Sequence, residues 1–91
     1  MIRSVWKSPS AEEKVLAALR ESDRPLLLAD LLAAIVQLFP DRATREFFLS
    51  KGRRPGIHAS KRFAHLLARM LRAGTVQEQG AATRRLYRLP R

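Results

Sequence analysis

The segment ending at Ala73 constrains the fold most. Phe63, Leu66, Leu67, Met70 and Leu71 recur at intervals of three and four, and every residue between them is Ala, His or Arg. That spacing lays one apolar stripe along an α-helix. Gly74 supplies a left-handed C-cap, so the helix is expected over about 58–73, starting either at His58 or after Ser60 as its N-cap. A chain of 91 residues has one core in which to hide the stripe, because proteins this short bury only about 60 to 65% of their unfolded surface.

The opposite side of the same helix carries the second constraint. At about 100° per residue, Lys61, His65, Ala68 and Arg72 lie near its centre, with Arg62 and Arg69 on the flank. No acid interrupts them. If the helix begins by residue 58, His58 joins the arc; if Ser60 is the N-cap, it does not. The bias extends beyond the helix. Residues 1–50 hold seven basic and seven acidic side chains, whereas residues 51–91 hold eleven basic ones and a single acid, Glu78, so the whole formal charge of +10 arises there. Solubility is served by mixed signs. A segregated basic surface is instead the footprint of a polyanionic partner, and nucleic acid is the expectation. Arg outnumbers Lys by 14 to 4, which favours forked, bidentate contacts.

Upstream, Ser10-Ala11-Glu12-Glu13 reads as a capping box opening a helix to about Ser22, with Val15, Leu16 and Leu19 inward. Asp23-Arg24-Pro25 breaks it. Leu26 to Phe39 is apolar except at Asp30 and Gln37, and reads either as a short strand, Leu26 to Leu28, feeding a buried helix, or as one helix throughout. Its apolar surplus, with Ile2, Val5 and Trp6 of a 1–9 N-terminal arm, suggests a homodimer or partner contact. Pro40 stops this segment, and Asp41 N-caps a further helix that carries Phe47 and Phe48 inward and ends near Gly52. The following loop, Lys51-Gly52-Arg53-Arg54-Pro55-Gly56, combines cations with glycines that let a phosphate approach the backbone.

After Gly74, Thr75 to Gln79, a Gly80-Ala81-Ala82 turn and Thr83 to Leu89 form a hairpin over about 75–89. Tyr87 and Leu89 share its inner face with Val76, which leaves Arg84, Arg85 and Arg88 toward the tip and outer face. The fold class is mainly α with a small C-terminal β-hairpin, and residues 10–91 make a single domain.

Other function classes find little support. Without cysteine there is no disulfide framework, thiolate zinc site or cysteine nucleophile. His58 and His65 have no carboxylate or cysteine within residues 51–77 to complete a metal or catalytic site, so neither enzyme activity nor a cofactor is expected. The longest apolar stretch falls short of the roughly 20 residues that span a bilayer. The N-terminus has no secretory apolar region, and the cytoplasm is the expected location, nucleoid-associated if the chain is bacterial.

The order of helix, apolar helix, basic-faced helix and basic hairpin resembles the winged helix-turn-helix DNA-binding domain. The likeness is sharpest at Leu66-Leu67-Ala68-Arg69-Met70-Leu71-Arg72-Ala73-Gly74-Thr75-Val76, then Gly80, then Arg84-Arg85-Leu86-Tyr87-Arg88-Leu89. These look like that family's recognition helix, its G-x-V entry into the wing and its Y-x-L returning strand. The resemblance implies a recognition helix in the major groove of duplex DNA and a wing on the flanking backbone or minor groove, with Arg84 and Arg85 at the wing tip. The protein would then be a small transcriptional regulator or a DNA-organising protein. The segment from Pro40 to Gly56 departs from the family pattern by adding a helix, and either it or Leu26 to Phe39 is the addition.

Candidate DNA contacts are Arg53, Arg54, His58, Ser60, Lys61, Arg62, His65, Arg69, Arg72, Arg84, Arg85 and Arg88. Arg62, Lys61 and His65 are placed to read bases, and Arg69 and Arg72 to meet phosphates. The competing expectations are a winged-helix protein–protein module within a larger nucleic-acid-handling complex, and RNA binding.

Overall fold

The computed structural model describes residues 9–51, 56–80 and 84–90. Helix α1, Ala11–Glu21, starts at the anticipated capping box: the Ser10 hydroxyl accepts from the Glu13 N–H at 3.2 Å, and the Glu13 carboxylate accepts from the Ser10 N–H at 2.8 Å. That second bond holds the Glu13 carboxyl below its ordinary range. Val15, Ala18 and Leu19 turn inward from α1.

Of the two alternatives for the apolar segment, the chain takes the first. Leu26–Leu27 form a short strand, β1, which runs directly into α2, Leu28–Leu38. Leu27 therefore serves as N-cap with extended backbone and no side-chain cap. Leu31, Leu32 and Ile35 are fully buried at the centre of the core. Among the described residues, Leu38 and Ile57 are the only large apolar side chains left exposed, so the chain itself covers most of the apolar surplus in this segment.

Helix α3, Arg42–Phe48, is capped by Asp41, whose carboxylate accepts from the Thr44 N–H at 3.0 Å and the Thr44 hydroxyl at 2.8 Å. These bonds, the hydroxyl's first, keep the Asp41 carboxyl below its usual range. Thr44 is the one fully buried polar residue among those described, and it also accepts a 2.7 Å bond from Lys14 Nζ of α1. A buried hydroxyl needs such partners, because unpaired it costs about 1–3 kcal/mol. The helix ends at Phe48, short of the expected Gly52. Leu49 leaves it to bridge Ala59, and the Ser50 N–H donates to the His58 carbonyl at 2.8 Å. Phe48 stacks edge-on with Phe47 and with Phe63, at ring separations of 5.0 and 5.1 Å, which locks α3 against the last helix.

That helix, α4, spans Lys61–Ala73 and buries Phe63, Leu66, Leu67 and Met70, with Leu71 partly covered. Gly74 ends it at φ 80°, a left-handed conformation that glycine adopts without penalty. Two strands follow, β2, Gln77–Gln79, and β3, Leu86–Arg88. The expected two-stranded hairpin gains a third strand: the antiparallel order is β1-β3-β2, with Leu26 opposite Tyr87 and Glu78 opposite Tyr87 on the other side. The described residues thus form a small compact mainly-α domain of four helices and one three-stranded antiparallel sheet. No helix among the described residues is long and apolar enough to cross a membrane.

Candidate nucleic-acid interface

The apolar stripe of α4 fixes which way its cations point. With Phe63 and Met70 at most 1% exposed, the opposite face is turned outward, and Lys61, Arg62, His65, Ala68, Arg69 and Arg72 are all exposed. From Lys61 to Arg72 the face is about 16 Å long at 1.5 Å per residue. None of its cations has a carboxylate partner among the described residues. The two ion pairs found there lie elsewhere, Arg42 with Glu46 at 3.2 Å on α3 and Arg85 with Glu78 at 3.7 Å across the hairpin. The face is therefore an unneutralised row of forked and pointed donors, able to exchange condensed counterions for phosphate oxygens.

Ser60 holds the start of the helix. Its hydroxyl accepts from the Phe63 N–H at 3.1 Å and donates to the Phe47 carbonyl, so it caps α4 and ties its first turn to the last turn of α3. Because Ser60 is the N-cap, His58 precedes the helix and does not join the cationic arc. It sits instead beside the Leu49–Ala59 bridge, its carbonyl held by the Ser50 N–H, with its ring beside Gly56. Lys51 is exposed; Arg53 and Arg54 lie outside the described residues, as do Ile2, Val5 and Trp6.

The hairpin cations do not form one cluster. Strand register places Glu78, Arg85 and Tyr87 on the face turned to α4, where with Ala64, Leu67 and Ala68 they border a groove of ≈ 250 Å³. Burial, and then the neighbouring Glu78, raise the Tyr87 phenol above its ordinary range and keep it neutral. Gln77, Gln79 and Arg88 occupy the other face, where Arg88 Nε donates to Gln79 Oε1 at 3.0 Å. Arg84 is exposed. Gly80 lies close to it, since at φ 98° a Cβ would stand 2.5 Å from the Arg84 carbonyl oxygen.

Among the described residues no group of three or more His, Cys, Asp or Glu side chains could hold a metal. Two arginines outside the expected set, Arg20 and Arg24, line a cleft behind the sheet together with Arg88. Only the pairing of β1 with β3 brings them together, and no local pattern signals it. Comparison of the chain with family models, with curated proteins and with solved structures finds no match.

Proposed function

We propose that the protein binds duplex DNA through the outward face of α4, with the β2–β3 hairpin as a flanking contact, in the manner of a winged helix-turn-helix domain. The observation that carries this reading is the row Lys61, Arg62, His65, Arg69 and Arg72, exposed and without carboxylate partners among the described residues. An α-helix fits the major groove, where phosphates flank both sides and base edges line the floor. Arg69 and Arg72 meet phosphates; Lys61, Arg62 and His65, in the first turns, reach base edges. Arg84 and Arg85 extend the contact along the backbone.

The element order supports the same reading. α2 packs against α1, β1, β3 and α3, and α3 packs against α4, so two helices precede the cationic one where the family pattern has a single second helix. The Ser60 and Phe48–Phe63 links let α3 hold α4 rather than displace it. Whether the protein regulates a promoter or organises DNA depends on how many duplexes it engages.

Titration of labelled duplex, single-stranded DNA and RNA at several salt concentrations tests the proposal. Duplex binding is expected with a log–log salt slope of about −4 to −6, for some five to seven phosphates. Preference for RNA, or no nucleic-acid binding together with capture of a protein partner, overturns it.

A further inference from the structure

The cleft behind the sheet has no part in the α4 interface. It measures ≈ 450 Å³ and is lined by the last turn of α1, the turn Ser22 to Pro25, and the ends of β2 and β3. Arg20, Arg24 and Arg88 enter it from these three segments, and Asp23 is the one acid on its rim, in ion-pair contact with none of them. Arg20 and Arg24 are exposed. Arg88 is half-buried and partly oriented, its Nε bonded to Gln79 Oε1 while its terminal nitrogens reach no carboxylate. The register decides where this cleft faces. Arg88 pairs with Gln77, and both lie on the side of the sheet opposite Glu78, Tyr87 and the α4 groove.

We infer that Arg20, Arg24 and Arg88 form a second phosphate-binding surface, so that one molecule holds a duplex on α4 and the backbone of another duplex behind the sheet. The inference rests on the DNA-binding reading of α4 and extends it to bridging. Three arginines line the cleft against one aspartate, and guanidinium forks match phosphate oxygens in pairs. The surface offers no stacking aromatic and no helix to enter a groove, so it grips backbone without reading sequence. An organising role follows, because a protein with phosphate grips on two faces joins separate DNA segments.

The test is capture of a free labelled duplex by an immobilised one. The wild-type protein is expected to join the two, with capture weakening as salt rises at a slope of about −3 for three phosphates. Arg20→Ala/Arg24→Ala, which leaves the sheet and the hairpin contact untouched, is expected to lose capture at least tenfold while single-duplex affinity changes less than twofold. Lysine at the same positions should restore part of it. If wild-type protein binds one duplex and captures no second, or if capture survives Arg20→Ala/Arg24→Ala, the second surface is wrong and the α4 reading stands. If single-duplex affinity falls along with capture, the cleft serves the same duplex as α4 and bridging is overturned. If wild-type protein binds no duplex at all, the α4 reading itself fails.

Discussion

Replacing Ser60 by alanine removes the one hydroxyl that holds the first turn of α4 to the last turn of α3. Two bonds go: the N-cap bond from the Phe63 N–H and the bond donated to the Phe47 carbonyl. An N-cap is worth about 1 kcal/mol and an ordinary internal hydrogen bond about 1 kcal/mol, so the loss is about 2 kcal/mol. For a domain of this size each kcal/mol moves the melting temperature by roughly 4–8 °C, which predicts a fall of about 8–16 °C. Ser60→Asp keeps an N-cap acceptor and loses the donated bond, so it should recover about half of that loss. Thermal melts followed by far-UV circular dichroism read both variants. A melting temperature for Ser60→Ala within about 3 °C of wild type, or an aspartate variant no better than alanine, would refute the claim that Ser60 joins α3 to the cationic helix.

Three further outcomes are expected. Thr44→Val keeps the shape but removes the hydroxyl that bonds Lys14 and Asp41, and should cost about 1–3 kcal/mol in denaturant unfolding, since both lost bonds are charge-assisted. Gly80→Ala should shift or broaden the amide signals of β2 and β3 while sparing those of α1, because its Cβ would meet the Arg84 carbonyl at a φ that disfavours side chains. Glu13 and Asp41 both have lowered folded-state pKa values, so the stability they contribute is present above their ordinary values of 4.5 and 3.8 and is lost as pH falls through the folded ones. The melting temperature should therefore drop in acid, and the drop should be smaller in Glu13→Gln/Asp41→Asn; an equal drop would place the acid sensitivity elsewhere.

The features legible in the sequence were those decided within a turn of chain. Ser10 with Glu13, Asp41, Ser60 and Gly74 all lie where capping chemistry requires them, because each cap bonds a backbone group only a few residues away. Leu26 to Leu28 was ambiguous for a physical reason: an unbroken apolar run satisfies both the two-residue and the 3.6-residue period, and only the pairing of Leu26 and Leu27 with Tyr87 and Leu86, some sixty residues on, makes those two a strand, while Leu28 opens α2. The end of α3 was missed for a similar cause. Leu49 is drawn out of the helix by Ala59, ten residues ahead, and that same bridge keeps His58 off the α4 face. Alternation placed Tyr87 inward but could not show that both faces of the sheet are used, which separates Arg85 from Arg88 and brings Arg88 to Arg20 and Arg24. The cationic face of α4 itself was readable, since a helix with one apolar stripe leaves its other side outward.

The most direct test of that face compares the salt dependence of duplex binding between wild type and Arg69→Ala/Arg72→Ala. Both residues are exposed and unpaired among the described residues, so the variant should keep the wild-type circular dichroism and melting temperature. If each neutralises one phosphate, the log–log slope becomes shallower by about 2 units, equally on every duplex sequence. An unchanged slope in a folded variant would contradict the assignment of α4 as the DNA-facing surface.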